Sequence, residues 1–156
     1  GYTPLLVGLT VSMGGLGSLL GAFLAAPLAK YIGVGRTLII AQFAFGLANL
    51  LVPLASGPVV VTLPLLLLSH FADLCYVLYA IHETRPRQAI IPEGMLGRVA
   101  SNFTLLTTVT LLLGVLAGGA IASQWGARTA LSVAVLIGLM SSVWLLASLL
   151  RSSSEL

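Results

Sequence analysis

The distribution of charge constrains this chain more than any other feature of its sequence. Only seven Lys or Arg and four Asp or Glu serve 156 residues, and most of them fall between long apolar stretches. A soluble domain of this size needs a charged surface, which so few ionisable residues cannot build. Each stretch is about as long as the ~20-residue helix that crosses the hydrocarbon core of a bilayer. The sequence therefore predicts an integral membrane protein with spans at 4–29, 37–55, 59–81, 99–123 and 129–150.

The composition of these spans favours helices over strands. Strands of a membrane barrel alternate in polarity over segments of about 10 residues, whereas these stretches are longer and uniformly apolar. Backbone groups that face lipid must be hydrogen-bonded internally, which a helix achieves within one segment. We therefore expect an all-α membrane protein, a single membrane domain over 1–156 with a cytoplasmic loop at 82–98. The lone cysteine, Cys75, excludes an internal disulfide and a cysteine-based metal cluster.

The basic residues predict the orientation of the spans. If the first span begins outside, every basic residue except Arg128 lies in the cytoplasm, as the positive-inside rule requires, and so does the C-terminus. An odd number of spans that starts outside, with a first residue other than Met, also leads us to expect the tail of a longer polypeptide. The residues placed in the cytoplasm are Lys30, Arg36, Arg85, Arg87, Arg98 and Arg151.

The third predicted span contains the strongest candidates for chemistry. His70 lies near its middle and Asp73 follows three residues later, so both project from one helical face and can hydrogen-bond to each other. Ionisable residues at this depth are costly, and they typically serve as proton relays, ion sites or substrate contacts. The structural alternative is a mutually satisfied pair, or an Asp73 partnered by another helix. Tyr76 and Tyr79 continue this face, either as an aromatic substrate wall or as interfacial anchors.

Two further polar residues share a face of the second span. Gln42 and Asn49 are seven residues apart, which places them on the same side of a helix. They are either interhelical hydrogen-bonding groups or part of the lining of a polar cavity that contacts substrate.

Stripes of small residues predict close helix packing at two places. In the first span Gly17, Gly21 and Ala25 recur at four-residue spacing, and in the fourth span Gly114 and Gly118 do the same. Small side chains at this spacing allow another helix to approach closely. For the first span a flexible gating helix is the alternative interpretation.

The predicted loop over 82–98 mixes basic, acidic and apolar residues around two prolines, which predicts a short interfacial segment. Its arginines either fix the topology and contact anionic lipids, or form ion pairs that latch one conformation. Glu83 and Glu93 are the local partners for such pairs.

No motif for catalysis or cofactor binding is present in the sequence. It contains no Gly-rich phosphate loop with Lys, no HExxH and no GxSxG. His70 and Asp73 supply too few ligands for a metal, and an enzyme built on them lacks a nucleophile and a third partner. We expect a protein that is not an enzyme, uses no cofactor and binds no nucleic acid.

The segment after the third span carries a family resemblance. This segment resembles the one between the tenth and eleventh helices of major facilitator superfamily exporters. The resemblance is carried by Arg87-Gln88, by Pro92, and by Gly97-Arg98 followed by Val-Ala. The branch it is most similar to is the drug and siderophore efflux group that includes macrolide exporters.

Other parts of the chain extend this resemblance. The glycine-rich segment 114–122 is similar to the eleventh helix of that branch, and 14–36 is similar to its eighth helix and the following loop. The whole chain then corresponds to helices eight to twelve of twelve. It departs from the pattern at Lys30, where the superfamily motif has an acidic residue, and near Ala80, where the branch tends to carry Asn.

The resemblance implies a proton-driven exporter of small amphipathic molecules in the inner membrane, which works by alternating access around a midplane site. The partner would be the N-terminal half of the same transporter. Asp73 would be the protonatable group and His70 would tune it, because desolvation favours a neutral carboxyl group and imidazole titrates near neutral pH. The alternative is a non-transporting scaffold or assembly subunit, complete at five helices, whose small-residue stripes are partner interfaces.

Overall fold

The computed structural model describes residues 2–153, with the side chains at 85–90, 93, 145 and 147–153 outside the description. The described chain is helical throughout and contains no strand. Five helical spans are long and apolar enough to cross a membrane. The elements in chain order are α1 Pro4–Ile32, α2 Val34–Asn49, α3 Leu51–Leu54, α4 Val59–Phe71, α5 Asp73–Ile90, a 3-10 turn Glu93–Met95, α6 Leu96–Trp125 and α7 Ala127–Ser153.

Two of the connections are single glycines. Gly33 separates α1 from α2 with φ 84° and ψ 153°, and Gly126 separates α6 from α7 with φ 88° and ψ 154°. Only glycine adopts this backbone region without strain. The predicted loop over 30–36 is therefore too long, since Lys30 and Arg36 belong to helix ends instead. The charged residues were taken as the ends of the spans, and the helices continue through them.

The predicted cytoplasmic loop over 82–98 also needs correction. Helix α5 continues to Ile90, and α6 begins at Leu96, so only 91–95 connect the two. Charged and polar residues such as Glu, Arg and Gln are good helix formers, and they extend a helix past the apolar segment. The tight connection is held by the Met95 amide, which donates to the Pro92 carbonyl at 2.9 Å.

Two spans are interrupted within their length. The second breaks at Leu50, three residues before Pro53, which has no N–H to bond the preceding turn. The third, predicted as one helix over 59–81, breaks at Ala72 into α4 and α5. Each break ends one helix and begins another within a span that is otherwise apolar.

The packing is centred on α1 and α5. Helix α1 lies against α4 and α5, α2 lies against α5 on another side, and α7 connects α2 to α6. The buried core is small and consists of Ala25, Ala41 and Leu78. Helix α6 packs mainly on α7 and has no buried residue. One face of the described bundle is therefore apolar and without a packing partner in the described part of the chain.

Candidate functional site

The break at Ala72 joins α4 and α5 through tighter hydrogen bonding than an α-helix. The Ala72 amide donates to Leu68 and Ser69 carbonyls, each at 3.2 Å, and the Cys75 amide donates back to the Ala72 carbonyl at 2.8 Å. The last of these bonds spans three residues, as in a 3-10 turn. The turn gives α5 its own N-terminus in the middle of the third span.

Asp73 occupies the first position of α5. The partial positive charge at a helix N-terminus stabilises a carboxylate there. The side chain is half-buried and points at α1, since a Cβ atom built on Gly14 would lie 2.5 Å from Asp73 Oδ2. The carboxyl group therefore rests against bare α1 backbone. No ion pair of Asp73 occurs among the described residues.

The glycine stripe of α1 makes this contact possible. A Cβ atom on Gly17 would overlap the carbonyl oxygen of Phe71, and one on Gly21 would lie 2.5 Å from the carbonyl oxygen of Leu74. Real Cβ contacts are never this short, so both positions tolerate hydrogen alone. Gly17 and Gly21 thus pack on the α4–α5 break, at the predicted spacing.

His70 does not pair with Asp73. Its Nδ1 bonds the Leu66 carbonyl of its own helix at 2.9 Å. Because a carbonyl only accepts, Nδ1 carries the hydrogen, and Nε2 of a neutral ring is left as an acceptor. The expected hydrogen bond between the two residues is therefore absent among the described contacts, although they lie on either side of the same break.

Tyr76 lies one turn beyond Asp73 and faces α2. Its ring centroid is 5.7 Å from that of Phe45 at an interplanar angle of 41°. Tyr79, by contrast, packs against the buried core. The two tyrosines therefore do not form one continuous wall.

Gln42 and Asn49 form a second polar group, away from Asp73. Both line a cavity of about 300 Å³ between α2 and α7. Gln42 Nε2 donates to Ser141 Oγ at 3.3 Å, and Asn49 Nδ2 donates to the Phe45 carbonyl at 2.9 Å. The candidate residues of the sequence thus separate into two sites, and the contact of Tyr76 with Phe45 joins them.

The remaining candidates lie apart from both sites. A Cβ atom built on Gly114 or on Gly118 would have no described atom within 4 Å. Of the motif after the third span, Pro92, Gly97 and Arg98 are exposed. The side chains of Arg87 and Gln88 lie outside the description.

His82 is a buried polar residue that the sequence did not single out. It is fully buried, its Nε2 bonds the Ala25 carbonyl of α1 at 2.9 Å, and its Nδ1 has no partner in the described structure. The signal was present in the spacing, because Cys75, Leu78 and His82 share one helical face. Treating 82–98 as a loop concealed it.

The break thus places the carboxyl group of Asp73 at the N-terminus of α5, against the backbone of α1. No cluster of three or more metal-ligating side chains occurs in the described part of the chain. No protein-family model matches the chain, and the comparisons with curated proteins and with solved structures found no match.

Proposed function

We propose that the chain is the C-terminal part of a proton-coupled efflux permease that exports small amphipathic molecules by alternating access. The observation that carries the proposal is Asp73, an ionisable group at a helix break within an apolar span, seated against glycine backbone. Maintaining an acid at this depth is costly, and such residues typically mark ion or substrate pathways.

Protonation supplies a physical basis for coupling. A charged carboxylate favours water and the α5 N-terminus, whereas a neutral carboxyl group tolerates close contact with apolar surroundings. Loading Asp73 with a proton therefore changes the relative free energy of packings in which the Gly14 contact is open or closed. A differential free energy between two conformations is what a proton gradient needs to drive transport.

The proposal includes further parts that follow from the resemblance. The N-terminal half of the same transporter would complete the substrate cavity, and the lipid bilayer would be an inner membrane with the C-terminus in the cytoplasm. Basic residues at the predicted cytoplasmic positions support this orientation. Tyr76 and its neighbours on α2 would contact the substrate.

The test is replacement of Asp73 in the complete protein. Asp73→Asn keeps the size and hydrogen-bonding capacity of the side chain but removes its titration. We expect membrane insertion to be retained and proton-driven efflux of an amphipathic dye such as ethidium to be lost, measured in everted vesicles with an imposed pH gradient. Asn102→Gln, which changes an exposed carboxamide on α6 outside both candidate sites and alters no ionisable group, is the matched control. Efflux by Asp73→Asn at the wild-type rate would contradict the assignment.

A second candidate is a non-transporting scaffold or assembly subunit. The observation that favours it is α6, whose apolar side chains lie exposed along its length. The two candidates differ in the mass of the native polypeptide. A scaffold is a 16.1 kDa chain in a stable complex with another membrane protein, whereas the permease is one much longer polypeptide. Mass spectrometry of the protein from its own membrane distinguishes them.

A further inference from the structure

The cavity between α2 and α7 has the size and lining of a small-molecule site. Its volume of about 300 Å³ lies at the lower end of the range for ligand pockets, which are mostly apolar with a few convergent polar groups. The walls follow this pattern, since apolar side chains surround two carboxamides. The residues that define it here are Gln42, Phe45, Asn49, Leu131, Val135 and Gly138.

The hydrogen bonds of the two carboxamides determine which atoms face the cavity. Ser141 Oγ donates to the Gly138 carbonyl at 2.6 Å, so it must accept from Gln42, which presents its NH₂ group. Asn49 donates to a carbonyl and must likewise present its NH₂ group. The hydrogen-bond partner therefore determines which terminal atom of each carboxamide is nitrogen and which is oxygen.

This arrangement leaves both carboxamide oxygens without a partner among the described residues. Each amide also keeps one N–H that no described group accepts. Both carboxamides line the cavity, and their unpaired atoms are not buried in the described protein, so they are open to hydrogen bonding by an occupant. A group that both donates and accepts, such as a hydroxyl, satisfies an oxygen and an N–H together.

The apolar part of the cavity favours an aromatic or alicyclic body. Phe45 forms part of the wall and is itself held by its ring contact with Tyr76. Aromatic rings add stacking attraction to the burial of apolar surface.

We propose that this cavity is a binding site for a small amphipathic molecule that carries a hydroxyl group on an apolar, ring-containing body. Asp73 is not among the residues that line the cavity, so occupancy does not depend on the proton chemistry proposed for it. Asp73→Asn should therefore leave binding unchanged, so that failure of the transport proposal and failure of this one are distinguishable.

The experiment uses a matched pair of photoreactive probes on the full protein in its own membranes. One probe is benzyl alcohol bearing a trifluoromethyl-diazirine, and the other is its methyl ether, which cannot donate a hydrogen bond. Labelling of α2 and α7 peptides is measured by mass spectrometry and normalised to labelling of exposed α6, which corrects for partitioning into lipid. We expect saturable labelling that is about five-fold stronger for the alcohol, the effect of one hydrogen bond.

Two variants test the location of the site. Gly138 lines the cavity and a Cβ there meets no described atom within 4 Å, so Gly138→Leu adds a bulky side chain to the cavity wall with room for its first carbon. We expect it to abolish the saturable labelling. Gly8→Leu, on α1 and equally open, is the control and should retain it.

A double variant tests the polar contacts. Gln42→Leu combined with Asn49→Leu should remove the preference for the alcohol over the ether. If Gly138→Leu fails to accumulate, this selectivity measurement decides alone. Equal labelling by both probes in the wild type would overturn the proposal. So would labelling that neither Gly138→Leu nor the double variant changes.

Discussion

At the scale of single residues, the contact between α1 and the α4–α5 break depends on glycines, which have no Cβ atom. Glycine in a helix normally costs about 0.5–1 kcal/mol relative to Ala, because its backbone is freer when unfolded. The glycines of α1 lower helix stability by this amount, but they allow the carbonyl oxygens of Phe71 and Leu74 to approach the axis of α1 closely. The carboxyl group of Asp73 reaches α1 backbone for the same reason.

Gly→Ala usually stabilises a helix, but Gly17→Ala should destabilise this protein. The added methyl group overlaps backbone, which cannot rotate away, so we expect a loss of about 1–3 kcal/mol in the free energy of unfolding. Gly15→Ala, two residues earlier and with open space around its Cβ, should be neutral or stabilising. Thermal unfolding of the purified protein in detergent measures both. Equal stability of the two variants would contradict the close contact.

Sequence spacing predicted part of this residue-level arrangement. Close packing at Gly17 and Gly21 follows from the four-residue repeat of small side chains. The site role of Asp73 stays a prediction. The role of Gly14 could not be predicted, because it depends on the break at Ala72, which no proline marks. The bond from His70 to the carbonyl of Leu66 in its own helix was not distinguished by spacing from a bond to Asp73. His82 was missed because charge beyond 82 was taken as the end of the helix.

At the scale of elements, the connections are shorter than the distribution of charge suggests. The spans were recognised because apolar stretches of sufficient length are unambiguous, whereas their ends were displaced by several residues. Helices α1 and α6 have 29 and 30 residues, more than the hydrocarbon requires. Polar residues at their ends continue the helix into the interface, so that a single glycine completes the reversal between neighbouring spans.

Gly126→Ala should destabilise the α6–α7 hairpin through backbone strain alone. A Cβ at this position meets no described atom within 4 Å, but φ of 88° with ψ of 154° is a region that L-residues avoid. We expect a loss of about 1–3 kcal/mol, measured by the loss of helical circular dichroism during unfolding in mixed micelles. Gly119→Ala, inside α6, is the control and should show no loss. Unchanged stability of Gly126→Ala would mean that the turn relaxes to another conformation.

At the scale of the whole molecule, the described bundle is asymmetric. Helices α1, α2 and α5 enclose a small core, whereas α6 contacts mainly α7 and presents leucines on its remaining faces. Lipid tails satisfy such a surface as well as protein does, so exposed leucine alone does not demand a partner. Glycine at four-residue spacing is different, because it sacrifices helix stability and gains only when another backbone packs on it.

Gly114→Leu tests whether α6 meets a further helix in the native protein. In the isolated 156-residue chain the substituted side chain enters open space, so helicity and detergent stability should stay unchanged. Under the proposed permease function, the same change in the complete protein should lower the amount of assembled protein in the native membrane several-fold, because close packing at Gly114 becomes impossible. Gly114→Ala, which keeps the side chain small, should restore assembly. If Leu is tolerated in the native membrane, α6 faces lipid there, and the proposed N-terminal half packs on another surface.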